Sequence, residues 1–125
     1  MLNDLLKSIK TIYVAYGVTD FRKQIISLCA MVENRFKISP YKNIAFIFCN
    51  KKRNSIRVLC YDKNGFILAQ KTLLDQGKMK FQWPKNAGEL KQITKEQLTW
   101  LLSGLKIYPD KHFKDIEIQR EKIAI

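Results

Sequence analysis

The chain is short of the residues on which most metal and acid–base sites depend. It has one histidine, His112, and three widely spaced cysteines, Cys29, Cys49 and Cys60, with no CxxC pair. Zinc sites need clustered sulfur and nitrogen ligands, and histidine chemistry needs a histidine close to its partner group. An odd number of cysteines, each within an apolar run, indicates buried reduced thiols and not a disulfide framework. The sequence therefore predicts no metal site and no cofactor.

Long apolar runs and acidic residues are also scarce. No run approaches the roughly 20 residues that a membrane-spanning helix requires. Residues 1–6 lack the basic start and apolar core of a signal peptide, so a cytoplasmic location and no membrane partner are expected. Eleven acidic residues stand against 23 lysines and arginines, which gives a formal net charge of +12. Such an excess favours nucleic acid as the partner, ahead of an anionic membrane surface or an acidic protein.

Apolar periodicity predicts a strand followed by a helix near the start of the chain. Residues 12–16 are rich in β-forming side chains. Thr19 or Asp20 can then cap a helix, whose apolar residues recur at helical spacing. This helix should end near Lys37, because a proline follows shortly afterwards.

Four more strands and a closing helix are expected after this helix. The strands are 44–49, 56–61, 66–73 and 79–83. Thr94 and Gln97 have the spacing of a capping box that opens the closing helix. Its inward stripe should run from Leu98 to Leu105, with Trp100 off that stripe. Residues 106–125 have no assigned structure.

These elements predict an α+β fold. Short connections favour antiparallel pairing, so we expect a β-meander sheet of about four to five strands. A long helix follows the first strand, and a C-terminal helix packs on the sheet, with both helices on one face. Residues 1–105 should form a single domain, and 106–125 a C-terminal extension.

The most charged feature is the turn between the strands that end at Cys49 and begin at Ile56. It holds three consecutive cations, and burying unpaired cations costs several kcal/mol. The turn must therefore face water or an anion. Residues 37–91 carry twelve cations and three anions, +9 of the total +12. We hypothesise that the cations of the strands share one face with this turn at its end, and contact phosphates. The candidate nucleic-acid-binding residues are Lys51, Lys52, Arg53, Arg57, Arg22, Lys23, Lys71 and Lys80.

Aromatic residues offer a second kind of site. Phe81, Trp83 and Trp100 are the side chains that a single-strand binder would use for base stacking. Phe81 is expected in the core. Trp83, at a strand end, and Trp100, off the helix stripe, are candidates for a partner-binding patch.

Catalytic groups are few. A two-metal nuclease needs converging carboxylates, and the candidates are Asp20, Asp62 and Asp75. Asp20 has the position of a cap, and the other two have the positions of turn residues. We therefore expect no catalytic residue, and an enzyme with its own metal site is the third-ranked alternative.

Five short segments of the chain carry a family resemblance. They are Gly17–Lys23 (GVTDFRK), Phe48–Arg53 (FCNKKR), Tyr61–Phe66 (YDKNGF), Phe81–Pro84 (FQWP) and Thr94–Leu105 (TKEQLTWLLSGL). In this order they resemble the TnpB-type accessory proteins of IS66-family bacterial insertion sequences, the products of the second reading frame of the element. The resemblance implies an accessory factor for transposition that acts alongside a separate transposase. Lysines stand where the family has arginines in the turn, which keeps the charge but loses bidentate phosphate geometry.

Two functions follow as expectations. The first is a non-catalytic accessory protein that binds DNA, at the ends of the insertion sequence, through the basic turn and a sheet face. The alternative is an adaptor that binds the cognate transposase without contacting DNA and uses Trp83 and Trp100.

Overall fold

The computed structural model describes residues 7–74, 80–86 and 88–102. A five-stranded mixed sheet has the strand order β4-β3-β2-β1-β5 and is accompanied by two helices. The strands are β1 (Thr11–Ala15), β2 (Ile44–Cys49), β3 (Ser55–Asp62), β4 (Gly65–Thr72) and β5 (Leu90–Ile93). The helices are α1 (Ile25–Arg35) and α2 (Lys95–Leu102). The α+β class is confirmed.

The prediction of a purely antiparallel sheet is wrong, because β1 and β2 run parallel. Thr11 is level with Ile44, and Val14 with Ile47. Residues 16–43 separate the two strands and contain α1, so the connection is long enough for a crossover. The pairs β2/β3 and β3/β4 are antiparallel, as their short turns predict.

The strand predicted at 79–83 is wrong for the described residues 80–83, which form no strand. The fifth strand is instead β5, which pairs antiparallel with the free side of β1. The alternation of apolar and polar residues does correspond to alternating burial, since Phe81 and Trp83 are buried and Gln82 is exposed. A period of two reports side-chain burial, however, and does not reveal whether the backbone has a neighbouring strand.

The helices cover opposite faces of the sheet, so the prediction of one covered face is also wrong. Leu28, Cys29 and Val32 of α1 pack with Phe46, Phe48 and Leu59 on one side. The other side packs Leu98 and Leu101 of α2, together with Phe81 and Trp83, against the alternate residues of β1, β2 and β3. The reason lies in β2, where five of the six residues are buried and both faces are apolar. A strand that is apolar on both faces needs a cover on each.

Both helix starts can be compared with their expected caps. The capping box of α2 is confirmed: Gln97 N donates to Thr94 Oγ1 (3.0 Å), and Thr94 N donates to Gln97 Oε1 (2.8 Å). The start expected for α1 at Thr19 or Asp20 is wrong, because the helix begins at Ile25 after Gln24, which makes no side-chain cap. The end of the α2 stripe and the extension 106–125 lie outside the described residues. No helix within the described ranges is long and apolar enough to cross a membrane.

Candidate nucleic-acid interface

Three loop segments meet where β1 and β2 end. Gly17 N donates to Pro84 O, Thr19 N donates to Cys49 O, and Phe81 N donates to Arg53 O, each at 2.7 Å. The Trp83 indole Nε1 donates to Ala15 O at 2.9 Å. Segments that are far apart in the sequence are therefore tied together at one end of the sheet, where β1 and β2 terminate. We call this region, residues 17–23, 50–54 and 80–85, the basic end.

The hairpin tip between β2 and β3 is held by two asparagines. Asn50 Oδ1 accepts hydrogen bonds from the backbone N–H groups of Asn54 (3.1 Å) and Ser55 (3.0 Å). Its amide also donates to Asn54 Oδ1 (2.6 Å). Arg53 N donates to Asn50 O (3.0 Å), and Arg53 has a left-handed backbone with φ 58°. This is a β-turn followed by a left-handed residue, a common hairpin closure.

The tip presents its lysines to solvent, as the sequence predicts. Lys51 and Lys52 are exposed, whereas Arg53 is half-buried. Within the described part of the chain, no carboxylate pairs with Lys51 or Lys52. The turn is thus ordered by neutral amide contacts, which leaves the two ammonium groups available to an external anion.

Arg22 is placed beside the tip but carries a carboxylate partner. Its guanidinium forms a bidentate pair with Asp20, with Nη2 to Oδ2 at 2.8 Å and Nε to Oδ1 at 3.1 Å. The Arg22 side-chain hydrogen bonds, followed by its backbone N–H, lower the pKa of the Asp20 carboxyl to about 2. Arg22 is therefore partly neutralised, while Lys23 next to it is exposed.

Arg57 has a structural role at this end. Its Nε donates to Gln70 Oε1 (2.8 Å), and its Nη1 donates to the carbonyls of Phe21 (2.9 Å) and Lys23 (3.2 Å). Its guanidinium also lies over the Phe21 ring, 4.5 Å from the centroid. Arg57 therefore fixes the loop before α1 to β3 and β4. Its side chain is half-buried, so only part of the guanidinium is accessible to a ligand.

The hypothesis of one basic sheet face is wrong. Arg57 lies opposite Gln70, and Lys71 lies opposite Ile56, so Arg57 and Lys71 point to opposite faces of the sheet. Lys80 is exposed and immediately precedes Phe81, which is tied to Arg53. The cations gather around an end of the sheet and not across one face.

Two open clefts flank the tip. The larger, of about 900 Å³, runs between residues 18–22 and the hairpin and has an amide- and hydroxyl-rich wall from Asn50, Asn54 and Thr72. The smaller, of about 250 Å³, lies between Lys51 and Lys85. Val18, 54% exposed, lines both clefts together with Lys51. The arrangement offers cations beside neutral donors and acceptors, the combination that contacts phosphates and sugar or base edges.

The tryptophans lie elsewhere than expected. Trp83 is 5% exposed and Trp100 is 8% exposed, and Phe81 is buried as predicted. Trp100 thus belongs to the inward face of α2. Neither indole is available to a partner without rearrangement, so the reason for predicting a partner-binding patch at these residues is lost.

The three cysteines are buried free thiols, as predicted. Of the three carboxylates considered for a metal site, Asp20 lies at the basic end, Asp62 lies at the opposite end of β3, and Asp75 lies outside the described residues. Among the residues that the structure describes, no group of three or more metal-ligating side chains occurs.

Sequence reasoning missed the polar residues that shape the basic end. Asn50 and Asn54 order the tip, and Gln70 and Thr72 come from the far strand β4. Asparagines that bracket a charged turn are a usable signal, because asparagine favours turns by bonding to nearby backbone. No local signal marks Gln70 or Thr72, since β4 reaches the site only through sheet pairing.

Comparisons with known proteins cover most of the chain, including the three segments of the basic end. A family model described as IS66 Orf2-like protein matches residues 10–112. Two relatives from Sinorhizobium fredii (strain NBRC 101917 / NGR234), uncharacterized proteins y4hO and y4jC, are each 33% identical over 94 residues. These residues are 75% of this chain and 79% and 78% of the respective relatives. No solved structure matches the chain significantly. The chain belongs to the IS66 Orf2-like family of insertion-sequence-associated proteins.

Proposed function

We propose that this protein is a non-catalytic accessory factor of transposition that binds DNA through its basic end. Membership of the family provides the insertion-sequence context. The DNA contacts would come from Lys51 and Lys52 at the tip, with Lys23 and Lys85 on either side. The ends of the insertion sequence are the proposed target, and a cognate transposase is the proposed partner.

The observation that carries the proposal is the state of the hairpin tip. Asn50 and Asn54 hold its backbone in place, and both lysines remain exposed and unpaired within the described residues. In a chain of net charge +12, lysines carried by a backbone that is already ordered lose little backbone entropy when they bind phosphate. Each phosphate contact releases condensed counterions, so binding should weaken steeply as salt rises.

Other candidate residues have smaller proposed roles. Arg53 and Arg57 are half-buried, and Arg22 is paired with Asp20, so each would act more on the shape of the site than as a free cation. Lys71 and Lys80 are exposed near the same end and would extend the contacted surface. The adaptor alternative loses support because Trp83 and Trp100 are buried.

Charge reversal at the tip tests the proposal. We expect Lys51→Glu/Lys52→Glu to weaken duplex binding roughly tenfold or more, and to lower the magnitude of the salt slope by about two, one for each lost phosphate contact. Fluorescence anisotropy with a labelled duplex from the element terminus and a scrambled duplex, over a salt titration, measures both quantities.

The matched control is Lys42→Glu/Lys63→Glu. These lysines are also exposed but lie at the other end of β2 and β3, so the same change in net charge falls away from the tip. If both double variants lose affinity equally, the binding is diffuse and the assigned site is wrong. If the wild-type protein binds no duplex at low salt, the DNA-binding function itself is wrong.

A further inference from the structure

One edge of the sheet has no partner among the described residues. β4 is the outermost strand, and it pairs with β3 on one side only. It is eight residues long and contains no proline. The opposite edge strand, β5, has only four residues. A long edge strand presents a row of free backbone N–H and C=O groups to any strand that can align with it.

The side chains of β4 do little to discourage such pairing. Residues 65–69 are half-buried, and the apolar positions Phe66, Ile67 and Leu68 lie among them. Edge strands are commonly protected by lysine or proline, and Lys71 is the only charged residue of β4. We propose that β4 pairs antiparallel with β4 of a second copy of this chain, which joins two sheets into one of ten strands.

The register of this pairing follows from the chemistry of the strand. With the two-fold axis at Leu68, Ile67 faces Ala69 of the second copy, Phe66 faces Gln70, and Gly65 faces Lys71. Each large side chain then meets a smaller or flexible one, and the two lysines do not oppose each other. Residues directly opposite in an antiparallel pair share a face, and like charges at such positions are destabilising.

Gly65 makes this register electrostatically favourable. Asp62 lies directly across from Gly65 in the β3/β4 hairpin, so Asp62, Gly65 and Lys71 of the second copy fall in one row on one face. Gly65 has no side chain and no neighbouring atoms within 4 Å of a Cβ position, so the lysine can extend across it towards Asp62. The same contact occurs twice about the two-fold axis, and this self-complementarity favours a second copy over an unrelated strand.

The dimer would separate the two basic ends. The tip lies near the end of β4, where Leu73 N donates to Asn54 O. Because the second β4 runs the other way, its basic end lies at the opposite end of the joined sheet. An eight-residue strand is roughly 27 Å long, so the two ends face away from each other over at least that distance along the strands. Such a dimer is shaped to hold two DNA segments.

Two substitutions at Gly65 test the interface. The site has open space and no positive φ, so the side chains of Gly65→Lys and Gly65→Glu both fit in one copy, where only the glutamate faces a like charge, at Asp62 across the hairpin. Gly65→Lys places like charges opposite each other and should weaken self-association roughly two- to thirtyfold, whereas Gly65→Glu places an anion opposite Lys71 and should strengthen it to a similar extent. Sedimentation velocity of the full chain over a concentration series measures the effect.

Salt dependence separates this proposal from DNA binding. Each copy carries +12, so screening should strengthen self-association as salt rises, the reverse of its effect on DNA affinity. A monomer at every concentration and salt, or two Gly65 variants that behave alike, would overturn the proposal. Another segment of the chain or a different protein would then cover β4, and the anisotropy measurements on DNA would stand unaffected.

A crosslink tests the register independently. Leu68→Cys places a thiol on the two-fold axis, where opposed Cα atoms are about 4.5–5.5 Å apart, within the range for a disulfide. The native cysteines are buried, so the background should be low. We expect a reducible dimer from Leu68→Cys and not from the control Ile26→Cys, whose site on α1 is 85% exposed. Equal crosslinking of both variants would contradict the register.

Discussion

Asp20 and Arg22 are two residues apart in the loop before α1, and their contact determines the pH at which the Asp20 carboxyl titrates. The hydrogen bonds from Arg22 lower the pKa of Asp20 from 3.8 to about 2, so the charged pair is fully present above pH 4 and is lost as pH falls through about 2. In Arg22→Gln the side-chain contact with a cation is gone while the backbone N–H of residue 22 remains. The pKa should therefore rise only part of the way towards 3.8, as measured by NMR titration of the carboxyl carbon.

Arg35→Gln is the matched control for this titration. Arg35 is an exposed arginine in the last turn of α1, and it makes no contact with Asp20. Its loss should leave the pKa of Asp20 unchanged. An equal rise in both variants would show that the overall positive charge, and not the bidentate contact, holds the carboxyl ionised.

The burial of the three cysteines predicts how fast their thiols react in the folded protein. Desolvation raises the pKa of the Cys49 thiol to about 12, and burial raises those of Cys29 and Cys60 as well. Because the thiolate is the nucleophile, the folded protein should react very slowly with Ellman's reagent at about pH 8. In denaturant all three thiols should react at once. A thiol that reacts rapidly in the folded state would mean that one of the three is exposed.

The β2/β3 hairpin is the element on which the candidate site depends. Asn50→Ala removes the oxygen that accepts from Asn54 N and Ser55 N, so the free energy of unfolding should fall by about 1 kcal/mol. The tip should also lose order, and DNA affinity should fall although no charge changes. Urea denaturation and anisotropy measure the two effects.

Asn34→Ala serves as the control for the hairpin variant. Asn34 is exposed on α1, and alanine has a higher helix propensity, so stability should stay the same or rise slightly. If Asn50→Ala retains full DNA affinity while losing stability, the order of the tip does not matter for binding, and flexible lysines are sufficient.

Elements with a local signal agree well with their prediction. The capping box of α2 is read directly from Thr94 and Gln97, because its two hydrogen bonds join residues three apart. β2 stands out because nearly every residue is apolar. The predicted start of α1 was wrong because the Asp20 carboxylate accepts a hydrogen bond from Arg22 N in a turn. An aspartate side chain makes the same kind of bond to a nearby backbone N–H in a turn and in a helix cap, so the sequence does not distinguish the two.

The molecule as a whole carries far more positive than negative charge, and this should affect its stability. The +12 charge repels itself in the compact state. Raising salt from about 0.01 M to about 0.15 M shortens the screening length from about 30 Å to about 8 Å. The melting temperature should therefore rise with sodium chloride over the range in which DNA affinity falls. A melting temperature that falls with salt would mean that attractive ion pairs dominate the charge energetics.

The sequence by itself determined the charge, the apolar periodicities, the exposed basic turn and the family. These are local or compositional properties: Lys51 and Lys52 cannot be buried unpaired wherever the hairpin lies. It did not determine the parallel pairing of β1 with β2, the place of β5, or the face to which Lys71 points. Those depend on which strands meet across the sheet. Tertiary structure also decided that Trp83 and Trp100 are buried and that Gln70 joins the basic end, because burial and register come from contacts between residues far apart in the chain.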